Sequence, residues 1–301
     1  MKRLISAIIA TSIMCVPVFS SQNQQSSVQI KQQANQTAKE IIQHAGEKST
    51  EKVREKELEK IVKDAVDVVT KSNHLLFLLN HGKIKEAKEE IKKLKEKIDI
   101  LEKKYGISKL PVDSIVTEIT GVTDINQAKK LAEKVKKAVA NNDFVTARSL
   151  LELLRDEIVI ETAYLPVKLY KDAIYLTEKL IKEGKIKSAV NQLKVALGLI
   201  EIETTIIPKS IAVASLMVEE ASKVYKKEPE KALKLLAEAK RQIKLAKVLG
   251  YISNDKSVEP LIKQIESLEK AVREKSGSSQ SKFKELFKSI REMKKETTKT
   301  K

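Results

Sequence analysis

The side chains in this sequence whose type and spacing could do chemistry are mostly carboxylates, hydroxyls and phenols. A Glu-Thr pair occurs twice, each time shortly before a proline: Glu161-Thr162 ahead of Pro166, and Glu203-Thr204 ahead of Pro208. The first follows Ile158-Val159-Ile160 and the second follows Ile200-Glu201-Ile202. A carboxylate among β-branched residues is costly to bury unless it is hydrogen-bonded or ion-paired. One reading places these glutamates along a groove, accepting donors from a ligand or partner. The other has Glu and Thr bonding free backbone groups at a helix junction made by the proline. Tyr164, Tyr170 and Tyr175 lie close by, and a phenol joins apolar area to a polar tip, which suits an interface or a core. Glu161, Thr162, Tyr164, Tyr170, Glu203 and Thr204 are therefore the candidate partner or ligand groove.

Catalytic constellations are sparse. The three histidines are His44, His74 and His81. His74 and His81 are seven apart, whereas metal-binding pairs on a helix usually sit at three or four, so their expected roles are structural. There is no Gly-rich phosphate loop, nucleophile elbow or helical His-Glu motif. The single cysteine, Cys15, rules out a disulfide framework and a thiolate metal cage. The sequence therefore predicts no catalytic residues, no metal and no cofactor, and a protein that works by binding rather than as an enzyme.

A second candidate surface is electrostatic. Of 58 basic residues 51 are Lys, against 41 Asp and Glu, for a formal charge of +17. Nucleic-acid readers rely on Arg forks and stacking aromatics, both scarce here, so nucleic acid is not an expected partner. Charge concentrates after residue 275, where eight basic residues face three acidic ones. A Ser-Gly linker, Ser276-Gly277-Ser278-Ser279-Gln280-Ser281, precedes Phe283, Leu286, Phe287, Ile290 and Met293 on one helical face, flanked by Lys284 and Lys288. A tethered basic amphipathic helix can lie on an anionic bilayer or dock in a partner's groove; alternatively it packs on its own body. Protein partners, including further copies of the chain in a homo-oligomer, and an anionic membrane surface are the expected partners.

These residues must be positioned by helices. So few Gly, Pro and aromatic residues argue against a β-sandwich or barrel. Ile61, Val62, Ala65, Val68, Val69, Leu75, Leu76 and Leu79 recur at the steps of one buried helical face. Further helices are predicted around 84–104, 124–140, 144–160, 167–183, 186–203, 209–226, 229–248 and 257–275, and the expected fold class is all-α. Asn142-Asp143-Phe144-Val145-Thr146-Ala147 is echoed 42 residues later by Gly184-Lys185-Ile186-Lys187-Ser188-Ala189. The same offset relates the two Glu-Thr segments. Each unit reads as a helical hairpin whose small Ala faces its partner, so the expected architecture is antiparallel hairpins in a bundle or short solenoid.

Leu153-Leu154-Arg155-Asp156-Glu157-Ile158-Val159-Ile160-Glu161-Thr162-Ala163-Tyr164-Leu165-Pro166 resembles the central signature of the YfdX proteins. Ala173-Ile174, Glu183-Gly184-Lys185-Ile186, Glu203-Thr204-Thr205-Ile206-Ile207-Pro208 and Leu110-Pro111-Val112-Asp113 are similar too, over roughly residues 58–250. The resemblance implies an all-helical, secreted bacterial protein linked with stress tolerance, with no catalytic residues to carry over.

The N-terminus reads as an address. Lys2-Arg3 and the apolar run Leu4 to Val16 have the form of a secretory signal, with Val18-Phe19-Ser20 fitting a cut after Ser20. That cut would remove Cys15. The expected organisation is a signal peptide at 1–20, a polar spacer at 21–29, a helical domain at 30–275, and a flexible linker with a basic tail at 276–301. The expected location is the periplasm. The expected function is that of an exported, non-catalytic, stress-associated binding protein, chaperone-like or scaffold, with a small-molecule pocket near the Glu-Thr motifs as the alternative and an enzyme as a remote one.

Overall fold

Three of the predicted helical hairpins turn on one residue in the left-handed region of backbone space: Gly82, Asn142 and Gly184, with φ of 67°, 57° and 75°. That conformation suits Gly, and Asn tolerates it better than most residues. In each hairpin it lets its own amide and the next one reach back over the helix end. Gly82 N–H donates to Leu79 and Lys83 N–H to Leu78, and the same pattern recurs from Asn142-Asp143 and from Gly184-Lys185. The computed structural model describes residues 43–106, 108–252 and 255–300. The proposed signal, Cys15, the 21–29 spacer and the start of the helical domain at 30 lie outside the described residues.

The chain runs α1 (residues 43–60), α2 (Lys63–Asn80), α3 (Ile84–Tyr105), β1 (Lys109–Ile119), α4 (Ile125–Ala140), α5 (Phe144–Leu153) and β2 (Glu157–Pro166). It continues through α6 (Val167–Lys182), α7 (Ile186–Gly198), β3 (Glu201–Pro208), α8 (Lys209–Val224) and α9 (Pro229–Val248). The last elements are α10 (Asp255–Arg273), α11 (Ser279–Thr297) and the short β4 (Lys299–Thr300). Ala87, Ala147, Ala189 and Ala232 are all buried, as a close helix crossing requires.

The all-α expectation is corrected. The helices are joined by a four-stranded antiparallel sheet in the order β1-β2-β3-β4. Helix, helix, strand recurs through β1, β2 and β3, and each adjacent pair among these strands is bridged by one helical hairpin. The helices predicted at 144–160 and 186–203 stop at Leu153 and Gly198, because Ile158-Val159-Ile160 and Ile202 to Ile207 extend as strands. β-branched side chains favour the pleated backbone, where their χ1 restriction costs least.

One end of the sheet enters a bundle of α2, α3, α6 and α7, whose core includes Leu75, Ile91, Leu94, Ile98, Leu165, Tyr170 and Ile174. The inner face, with Val116, Ile158, Ile160 and Ile207, is covered by Val53 of α1 and Ala212 of α8. α8 is apolar on most sides because α9, α11 and the sheet surround it.

The stretch expected as a flexible linker at 276–281 runs through a turn at 276–278 into the first residues of α11. Ser276 N–H closes on Ala271, and the Ser279 hydroxyl closes on Ser276. The apolar face of α11 is occupied by the chain's own body: Phe283, Leu286, Ile290 and Met293 are buried, with α8 and α10 packed against the helix. Phe287 is half-buried, whereas Lys284 and Lys288 stay exposed.

Candidate functional site

At the end of the sheet away from the four-helix bundle, charged groups converge from five segments. Glu118 is the next-to-last residue of β1 and Thr120 lies just past the strand; β2 opens with Glu157 directly after Arg155-Asp156; α8 opens with Lys209; Tyr251 follows α9; Thr50 comes from α1. The Lys209 Nζ donates to Glu118 Oε1 at 2.9 Å and to Thr120 Oγ1 at 2.7 Å, and lies 3.4 Å from Asp156 Oδ1. Thr50 Oγ1 donates to the other Glu118 oxygen at 2.8 Å. Asp156 is 2 % exposed and Lys209 7 %, so that pair meets with almost no water, while Glu118 is half-buried. Beside them, Arg155 holds Glu157 Oε2 through Nε at 3.0 Å and Nη2 at 2.8 Å, and Tyr251 donates to Glu157 Oε1 at 3.1 Å. The Tyr251 oxygen also accepts the Asp156 backbone N–H at 2.9 Å.

The backbone explains why these groups meet. The Asp156 carbonyl accepts the Lys209 N–H at 2.8 Å, so the start of β2 satisfies a free amide at the N-terminus of α8. Gly121 makes room: a Cβ there would lie 2.2 Å from the Arg155 carbonyl oxygen, closer than any side chain allows.

Electrostatically, the two carboxylates beside Lys209 move in opposite directions. Burial raises the Asp156 carboxyl, against the opposing pull of Lys209 and the Ser210 amide. Burial also works against Glu118, but Lys209 and the Thr50 hydroxyl outweigh it and leave that carboxyl below its ordinary value. Burial pushes the Tyr251 phenol up. Paired carboxylates shifted apart can serve acid–base chemistry where a substrate reaches them. Here α8 and the strand ends close over Asp156 and Lys209, and the groups bind five segments to one another.

The opposite face of the sheet is open at its centre. In register, Ile115 of β1 faces Glu161, which faces Thr204 of β3; the neighbouring row is Thr117, Val159 and Ile206. Ile115 is 58 % exposed and Ile202 69 %, with Glu161 exposed between them.

Residues 68–205 match the family model described as YfdX protein. This segment is similar to the YfdX family. A solved structure of YfdX from Salmonella Typhi is similar, at 15% identity over 48% of this chain and 90% of that one, with a TM-score of 0.34. No curated protein matches the chain. The YfdX segment supplies Glu118, Asp156 and Glu157 to the charged cluster, while Lys209, Tyr251 and Thr50 come from outside it.

Within the YfdX segment, the predicted groove residues divide between two faces and a core. Glu161 and Thr204 are paired neighbours on the open face. Thr162 is buried on the covered side, its hydroxyl 3.3 Å from Ser114 Oγ. Glu203 pairs with Thr162 in register, and its carboxylate lies 3.4 Å from Lys109 Nζ, which also pairs with Glu201. Tyr164 is half-buried on β2 opposite Glu201. Tyr170 belongs to the bundle core, where burial pushes its phenol up to about 12 with the Ser72 hydroxyl opposing. Tyr175 lies apart from the groove residues, with its hydroxyl on Asp99 and the Lys95 Nζ 4.1 Å from its ring.

His81 is bonded to the Phe77 carbonyl and packed on its ring, His74 lies 3.6 Å from Glu90, and His44 is exposed. Among the described residues, no group of three His, Cys, Asp or Glu could hold a metal. No helix among them is long and apolar enough to cross a membrane.

The charged cluster escaped sequence reasoning because its members lie tens of residues apart, with no fixed spacing. The available signal was Asp156-Glu157 directly before Ile158-Val159-Ile160, a carboxylate pair abutting a β-branched run.

Proposed function

We propose that this chain is an exported, non-catalytic, stress-associated binding protein that holds extended segments of partly unfolded proteins against the open face of its sheet. The observation that carries the reading is that face: Ile115, Val159, Ile202 and Ile206 surround a central Glu161 that has no ion-pair partner among the described residues. Apolar residues offer area to exposed hydrophobic segments, and a central carboxylate favours segments that also carry a cation. Export rests on the signal-like residues 1–20 and is checked by the mass of the chain recovered from the periplasm, expected to start at Ser21.

The binding reading is tested with a thermally unfolded model client whose aggregation is followed by light scattering. The chain is expected to suppress aggregation at a few-fold molar excess, and the Ile115→Lys/Ile202→Lys variant to lose that effect while melting like the parent. Absence of suppression at several-fold excess, or equal suppression by the variant, would overturn it.

A further inference from the structure

The molecule carries a second surface feature far from the Glu-Thr motifs in sequence and outside the YfdX segment. A cleft of about 400 Å³ lies between the C-terminal end of α8 and the first turns of α11, and one of about 330 Å³ adjoins it toward the turn after α10. Tyr225, Lys226 and Gln280 line both. Their walls combine two chemistries. The first is aromatic: the Tyr225 and Phe283 rings lie 5.1 Å apart, and Phe287 lies 6.4 Å beyond Phe283. The second is cationic: Lys226, Lys227 and Lys284 border the clefts, joined by Lys275 on the α10 side.

No carboxylate lines either cleft, in a chain with 41 acidic residues. Lys223, at the rim, is neutralised by Glu219 at 2.7 Å and Glu220 at 3.3 Å. Among the described residues, Lys226, Lys227, Lys275 and Lys284 have no ion-pair partner. Like charges gathered around a concave, partly apolar wall focus a positive potential into it.

Lys275 is held there against its backbone preference. It occupies the left-handed position after α10 (φ 51°), and its N–H bonds Val272 while that of Ser276 bonds Ala271. The equivalent positions after α2, α6 and α9 are Gly82, Gly184 and Gly250. A lysine in that conformation gives up stability that glycine would keep.

We infer that the clefts between α8, α10 and α11 form a binding site for a small amphipathic anion, a phosphate, sulfonate or carboxylate joined to a planar apolar group. The lysines take the anionic head and the Tyr225 and Phe287 rings take the apolar part. Both clefts are of the size that holds small organic ligands, roughly 300–1,000 Å³.

The test is calorimetric titration of the full chain with 1-naphthyl phosphate, inorganic phosphate and 1-naphthol. The naphthyl phosphate is expected to bind saturably and at least about tenfold more tightly than either half-ligand, since charge and ring contacts each contribute. The Lys227→Ala/Lys284→Ala variant, altered at two exposed positions, is expected to lose about tenfold. Lys275→Gly is the more telling change: it should melt at a higher temperature than the parent yet bind several-fold more weakly, which general destabilisation cannot produce. Sedimentation with phosphatidylglycerol vesicles separates the sources: co-sedimentation reversed by naphthyl phosphate assigns the site to a lipid headgroup, and retention in the supernatant assigns it to a soluble anion. Equal affinity for naphthyl and inorganic phosphate, no saturable binding, or undiminished affinity in the double variant would overturn the inference.

Discussion

The two ends of the sheet are built on opposite principles. At one end, Leu110 and Leu165 run into the apolar bundle of α2, α3, α6 and α7, and the strand-end ion pairs from Lys109 to Glu201 and Glu203 stay in solvent. At the other, Glu118, Asp156 and Glu157 run into Lys209, Arg155 and Tyr251, with Asp156, Glu157 and Lys209 buried and Glu118 and Arg155 partly open to solvent. The apolar end is non-directional, so burying area there stabilises the fold without fixing which segments meet. The charged end is directional: its groups meet particular partners, and five segments must arrive together for the cluster to form. The difference teaches that this fold takes its cohesion from one end of the sheet and its registration from the other.

That contrast can be broken by substitution. Lys209→Ala should have the largest effect, a loss of about 4 kcal/mol, because it leaves Glu118 and Asp156 without their shared counterion; urea denaturation reads it. Leu165→Ala should follow, at about 3 kcal/mol for a cavity in the bundle core. Its cost should not change with salt or across the carboxylate pH range. If the Leu165→Ala cost varied with pH as strongly as that of Lys209→Ala, the contrast would fail.

Tyr251→Phe should cost less, about 1.5 kcal/mol, by removing the hydroxyl that joins Glu157 to the Asp156 amide. Thermal or urea unfolding should show that loss without a change in the overall helical signal.

A smaller effect lies in pH dependence. Burial raises the Asp156 carboxyl in the folded chain, so the folded state holds that proton more tightly than the unfolded state. Ionised Asp156 therefore weakens the fold as pH rises from the unfolded carboxylate value through the raised folded one. Glu118 has the opposite sign. Its lowered value gives stabilisation that is present above the unfolded carboxylate value and lost as pH falls through the folded one. Relative to the parent, Asp156→Asn should gain stability with rising pH and Glu118→Gln should lose it; parallel curves for the two variants would remove the assignment. At the bottom of the scale, Lys109→Ala should leave the unfolding midpoint where it is, because its ion pairs are exposed.

Much of the helical part was legible in the sequence. The turns at Gly82, Asn142 and Gly184 and the buried alanines follow from local geometry, and α4, α6 and α9 begin and end within about two residues of expectation. The strands were hidden for a physical reason. A half-buried strand alternates polar and apolar residues, but in β2 the covered Ile158 and Ile160 alternate with Val159 and Ala163 on the other face. With apolar side chains on both faces, the run reads as the continuation of a helix. The same ambiguity misplaced the carboxylates. Glu161, flanked by β-branched residues, invited a buried role, yet it is exposed on the open face, and Asp156 and Glu157 are the buried pair. The tail shows a further limit: its amphipathic stripe was visible, but not that α8 and α10 would cover it.

The insertion of a whole helical hairpin between neighbouring strands also sets the order in which the chain can fold. Each hairpin is a local event, and helices and short loops form within microseconds. Pairing of β1 with β2, and of β2 with β3, must instead close over the hairpin between the partners, which places the sheet among the slow, non-local steps. For a chain made from its N-terminus, β1 waits for β2 until Pro166 has appeared. The outer edge of β3 waits longer still, for Lys299 and Thr300, which pair with Ile206 and Thr205. Until then the Thr205 and Ile206 part of that edge is open to other chains, the arrangement from which intermolecular strand addition starts. Lys299 and Thr300 therefore shield this short part of the β3 edge as well as forming the fourth strand.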